Sequence, residues 1–181
     1  MYLKEMKEQI LKFIEEINPE SELLTDDPDI SAKINDTINQ VMFELARIKK
    51  IAAYETLEVK ADEEIELEKE IKNFYQLEVI KGIEYENFNN FVIPKEDGTA
   101  KIFYYKYPKR ISSNTSDTEY KFELSDDVLE IMPYGVAGDL LLGDVSNRYG
   151  QIYLNRYNEL KQGLDPRYNK GSIVIGEGIN I

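Results

Sequence analysis

Most protein chemistry near neutral pH runs through imidazoles, thiols, activated hydroxyls and carboxylates, and this 181-residue sequence contains no His and no Cys. Disulfides, Cys/His zinc sites, thiol nucleophiles and every catalytic triad that needs an imidazole are therefore excluded. What remains is a surplus of carboxylates, 35 Asp and Glu. Composition leaves a glycosidase-type acid/base pair open, but with so many candidates only geometry selects one. Asp26, Asp27 and Asp29 are the closest approach to a hard-cation cluster. The ligand series of a calcium loop is missing, however, and Pro28 stands among them, so they read as the cap of a helix. Neither the phosphate-cradling Gly-x4-Gly-Lys-Ser/Thr loop nor a Gly-x-Gly-x-x-Gly fingerprint occurs, and Gly176-Glu177-Gly178 does not lie between a strand and a helix. No catalytic residue, metal or cofactor is expected.

Charge carries more information. Lys and Arg number 22, so the formal net charge is −13, and free binding to a nucleic-acid backbone is not expected. Between positions 55 and 70 eight acids stand against Lys60 and Lys69, and Glu63, Glu64, Glu66 and Glu68 mark a candidate acidic surface. Two readings stay open for it. It is the solvated face of an edge hairpin that charge protects from mispairing, or a wall along which DNA phosphate slides without sticking. Charges interrupt the apolar residues of the first twenty positions, unlike a signal peptide, and the longest uncharged stretch, 131–138, is far short of the roughly 20 apolar residues a membrane span needs. The sequence reads as a mature, soluble, non-secreted protein with no membrane partner. The absence of cysteine leaves the redox compartment open, and the sequons at Asn35 and Asn114 carry weight only in a secreted chain.

Helical spacing of Leu3, Met6, Ile10, Phe13, Ile14 and Ile17 up to Asn18-Pro19 predicts a first amphipathic helix. Ile30, Ile34, Ile38, Val41, Met42, Leu45 and Ile48 predict a second, and together the two read as a helical hairpin. From Tyr54 the period falls to two, giving strands around Leu57-Val59 and Ile65-Leu67. Further strands are expected over 76–85, 90–93 and 100–107, the last two joined by an Asp97-Gly98 turn, all in one small antiparallel sheet. A polar loop covers 112–119. Ser125 then caps a helix reaching about residue 146, and another runs from 148 to about 162 with Ile152, Tyr153, Tyr157 and Leu160 as its stripe. Pro133 either kinks or breaks the former. This order predicts an α+β fold: a four-helix core (1–53 and 111–167), an inserted small antiparallel β subdomain (54–110) and an extended C-terminal tail (168–181).

Aromatic and basic residues interleave once, at Phe103-Tyr104-Tyr105-Lys106-Tyr107 followed by Lys109-Arg110. The pattern suits a stacking platform for single strands, and equally a sheet packed on one face with tyrosines at its rim. Lys101, Lys106, Lys109 and Arg110, with Lys81, are candidate basic partners for a neighbour's acidic hairpin. In the tail, Ile173, Val174 and Ile175 form a short β-prone run suited to adding a strand to another sheet.

The segment 102–166, with Tyr105-x-Tyr107-Pro108, a Ser/Thr/Asp loop holding Thr115, then Met132-Pro133-Tyr134, Ala137, Asp139 and Asp144, then Arg156-Tyr157, resembles the head-to-tail adaptor (connector) proteins of tailed bacteriophages. The helical start and Glu-rich β region are similar to the longer adaptors. Gly135 departs from the family, which often has a second aromatic there. The resemblance implies a non-enzymatic virion protein of the neck, made in the host cytoplasm. Many copies would form a ring beneath the portal protein, contact other neck or tail-completion proteins, and pass DNA through the centre without specific binding. Ile173, Val174 and Ile175 would then dock on the portal or a neighbour. Other readings are a different virion ring such as a tail-completion protein, an acidic DNA mimic, or a carboxylate-based hydrolase.

Overall fold

The computed structural model describes residues 1–142 and 148–164. In chain order the elements are α1 Leu3–Phe13, α2 Pro28–Ile48, β1 Ile51–Val59, β2 Ile65–Glu66, α3 Leu67–Glu70, β3 Phe74–Lys81, β4 Tyr85–Phe88, β5 Phe91–Pro94, β6 Gly98–Lys106, α4 Asp126–Leu141 and α5 Tyr149–Gln162. The chain is α+β.

The helices α1, α2 and α4 have identifiable starts. The Tyr2 backbone N–H donates to the Glu5 carboxylate at 2.7 Å. Asp27 caps α2 by accepting from the Asp29 and Ile30 N–H groups at 2.8 and 3.1 Å, which is the role expected of this acidic cluster. Ser125 occupies the N-cap position of α4 without a capping bond from its side chain, so Asp126 and Asp127 in the first turn supply the favourable interaction with the helix dipole.

The expected hairpin of α1 and α2 is corrected. Both pack on α4, which also contacts α5, so α1 and α2 are joined through α4 instead of chiefly face to face. The uncharged stretch explains this. Val128, Leu129, Ile131, Met132, Pro133, Gly135, Val136, Ala137 and Gly138 are all buried, and a helix apolar on every side belongs at the centre of a core. α4 continues through Pro133, so the expected alternative of a break there is overturned. It is described as far as Leu141, and the expected extension to about 146 runs into residues outside the described ones. On α5, Tyr157 is buried while Ile152 is 58% exposed, so Ile152 does not belong to the inward stripe.

The β region also departs from expectation. It holds two three-stranded antiparallel sheets instead of one, ordered β1-β6-β3 and β2-β5-β4. The Glu-rich stretch is not a hairpin, because β1 pairs with β6 and β2 with β5, and residues from Leu67 turn into α3. The run 76–85 is divided at Gly82, whose φ of +98° and 2.7 Å approach of a Cβ to the Thr99 carbonyl oxygen leave no room for a side chain. Asp97-Gly98 joins strands of different sheets, so it closes no hairpin. Instead the Asp97 carboxylate accepts from the Ala61 N–H at 2.8 Å.

Buried apolar residues fall into two clusters. One gathers the helices with Ile51, Ile111, Tyr120, Phe122 and Leu124. The other gathers Val59, Leu67, Ile71, Phe74, Ile80, Val92, Ala100, Ile102 and Tyr104. They meet at Tyr107, whose ring lies 5.9 Å from Phe43 of α2 and 4.7 Å from Tyr75 of β3. At the same boundary the buried Asn39 amide donates to the Ile111 carbonyl at 2.8 Å and accepts from the Ile111 N–H at 2.9 Å.

Candidate functional site

Three of the four expected acidic residues come together. Glu63, Glu64 and Glu66 join Glu58 and Glu70 around an open cleft of about 420 Å³, beside the free edge of β1, with Leu57, Val59 and Ile65 as its apolar walls and Lys69 as the one cation among its described lining residues. Lys69 pairs with Glu66 at 2.5 Å, an exposed i,i+3 contact that raises the lysine's pKa through that hydrogen bond and charge. Glu58 accepts from the Thr99 hydroxyl at 2.8 Å. Glu68 is excluded from the cleft and accepts from the Asn90 side-chain amide.

The expected basic group does not assemble. Lys106 pairs with Glu123 at 2.5 Å, so its charge is used within the chain. Lys109 and Arg110 lie beyond β6, and Arg110 lines a separate depression with Asp36, Asn39, Gln40 and Phe43. Lys101 alone of the four stands on the outer face of the β1-β6-β3 sheet, because Ala100, Ile102 and Tyr104 take the inward positions of its strand. There Lys101 lies over the rings of Tyr54 at 4.5 Å and Phe103 at 5.2 Å, and Lys81 lies 5.4 Å from the Phe103 ring centre. Ile173, Val174, Ile175 and Asp144 lie outside the described residues.

The segment that carries the resemblance forms one packed unit over its described part. The 112–121 loop covers the start of α1: the Leu3 and Lys4 N–H groups donate to Tyr120 and Asp117 carbonyls at 2.9 Å. Lys7, almost fully buried, pairs with Asp117 at 2.8 Å. Gly135 then has a clear role, because a Cβ there would stand 3.0 Å from the Tyr157 ring and 3.1 Å from Val41. An aromatic side chain at that position would displace Tyr157. The Tyr157 hydroxyl donates to Glu44 at 3.0 Å, and Lys161 reaches the same carboxylate at 2.6 Å. Burial, with Glu44 beside it, pushes the Tyr157 hydroxyl well above the usual range, and burial with the same neighbour raises Asp139.

Sequence reasoning missed an apolar feature at the tip of the β4-β5 hairpin. Phe88 is 76% exposed, and Phe88, Phe91 and Ile93 line a second depression with Glu64, Glu86 and Asn87. The signal was the pair of phenylalanines flanking Asn89-Asn90, with Asn89 in the left-handed region at φ 54°.

Among the described residues no group of three or more carboxylates is arranged to hold a metal ion, and no helix is long and apolar enough to cross a membrane. The chain matches no protein-family model and no curated protein sequence.

Proposed function

We propose that the chain is a structural subunit of the neck of a tailed bacteriophage, a head-to-tail adaptor that forms a ring beneath the portal and lets DNA pass. The observation that carries this reading is the packing of residues 102–142 and 148–164. An aromatic strand ends at Lys106, just before Tyr107-Pro108, a Ser/Thr/Asp loop is pinned on α1, α4 runs on through Pro133, and a Tyr-rich α5 seats Tyr157 against Gly135. That is the order the adaptor resemblance implies, with a packing reason for its one departure.

In this reading α1, α2, α4 and α5 are the four-helix body of each ring subunit. The inserted β region supplies lateral or tail-side contacts through its cleft, its lysine-bearing face and the exposed Phe88. An acidic lumen fits the work of a channel, since basic walls would bind phosphate at each neutralised charge. The tail residues Ile173, Val174 and Ile175 are proposed to add a strand to the portal or a neighbour. Co-sedimentation with the purified portal oligomer of a candidate phage tests the reading. Stoichiometric binding that a form ending at Arg167 loses supports both the adaptor role and tail docking. Failure of the full chain to bind the portal turns the reading toward another virion ring.

A further inference from the structure

The outer face of the β1-β6-β3 sheet holds charge that the described fold leaves uncompensated. Lys81 of β3 stands directly opposite Lys101 of β6 in the ladder, an arrangement of like charges that weakens a sheet. Among the described residues neither ammonium has a carboxylate within ion-pair distance. Both rest on aromatic rings instead, those of Phe103 and of Tyr54, which is itself 62% exposed. Acids outnumber bases 35 to 22 in this chain, so two neighbouring lysines without an acid are a conspicuous economy. The opposite imbalance lies in the cleft beside β1, where Glu63 and Glu64 have no ion pair among the described residues while Lys69 is taken by Glu66.

We propose that this sheet face docks the glutamate-lined cleft of a second copy of the chain, with Lys81 and Lys101 of one copy meeting Glu63 and Glu64 of the next. The match has two parts. Two ammoniums face two free carboxylates, and the exposed rim of Tyr54 beside them faces the half-buried cleft walls Leu57 and Ile65. Because the two surfaces are different parts of one subunit, the contact is head-to-tail, the type that generates a ring when the rotation closes. A net charge of −13 on each copy does not forbid it, since at physiological salt charges beyond about 8 Å are screened and contact pairs decide. A single-stranded nucleic acid is the weaker occupant, because the ammoniums already cover the ring faces on which bases would stack. The closing of a ring rests on the proposed adaptor role, whereas the pairwise contact is tested without it.

The test is sedimentation and mass photometry of the full chain at 50–150 mM salt over a wide concentration range, with thermal melting to verify that each variant folds. Wild type is expected to self-associate. Lys81→Glu with Lys101→Glu, and separately Glu63→Lys with Glu64→Lys, are each expected to weaken association at least tenfold, and mixing the two variants is expected to restore it as hetero-pairs. Absence of self-association, or absence of rescue on mixing, overturns the contact, as does binding of a fluorescent dT20 oligonucleotide that the lysine reversal abolishes. If the lysine-reversed protein still binds the portal as a ring, the docking face is wrong and the adaptor reading stands. If the rescue succeeds but no portal is bound, the contact stands and the adaptor reading fails.

Discussion

Asn39 is the residue on which the junction between helices and sheets depends. It stands in α2 between core positions, and its side chain answers both backbone groups of Ile111, as a neighbouring strand would. Replacement by Leu would leave a buried N–H and a buried C=O unpaired, each worth about 1–3 kcal/mol. Asn39→Leu is therefore expected to lower unfolding stability by about 2–4 kcal/mol in urea titration, far more than Asn35→Leu one turn earlier. Tyr120 governs a second effect. Burial, with Glu123 nearby, pushes its hydroxyl up to about 12, while in the unfolded chain a tyrosine titrates near 10. The folded state thus keeps a proton that the unfolded state loses. Stability is unaffected below about pH 10 and falls as pH rises from there through about 12. Tyr120→Phe loses the hydrogen bond to the Lys109 carbonyl but removes this titration, so the urea midpoint should drop less between pH 9 and pH 11.5 than in wild type. Neither role was legible in the sequence. An Asn beside an apolar stripe looks like an ordinary exposed position until the chain 72 residues later is seen to pass it, and Gly135 read as a departure until Tyr157 was found against it.

At the scale of elements the sequence was most legible where one face is buried and least where pairing is remote. The stripe of α2 and its Asp27 cap follow directly from spacing and capping chemistry. α1 overran, because Ile14 and Ile17 continue the helical spacing beyond a stop that has no glycine to announce it. The Glu16 N–H bonds back to the Leu11 carbonyl at 2.9 Å and Glu15 adopts φ 61°, which is a Schellman closure with a side chain in the left-handed position. Glycine relieves that strain, so Glu15→Gly is expected to stabilise the protein by about 0.5–1 kcal/mol, read as a higher melting temperature. No loss of helix content should accompany it. Strand existence was largely legible from alternation, but which strands pair was not. β1 pairs with β6 across separations of 39 (Val59 to Gly98) to 55 positions (Ile51 to Lys106), and alternation is the same for one sheet as for two. The centrality of α4 was visible only as a short uncharged stretch, whose meaning comes from the three helices that pack on it.

At the scale of the whole molecule the 35 acidic side chains divide between two fates. Some are neutralised within the chain: Lys49 holds the Asp127 carboxyl below its usual range, and Lys7 and Lys106 pair with Asp117 and Glu123. Others gather in the cleft beside β1, away from the aromatic-backed lysines. The charge run was legible in sequence, but its division was not, because Glu68 turns toward Asn90 and Lys106 toward Glu123 only in the folded chain. The most direct measurement of the central claim is single-particle imaging of the full chain mixed with the purified portal oligomer. A closed ring of this protein coaxial with the portal channel is the predicted result. Portal particles without added density, or with copies bound off the axis, would contradict it.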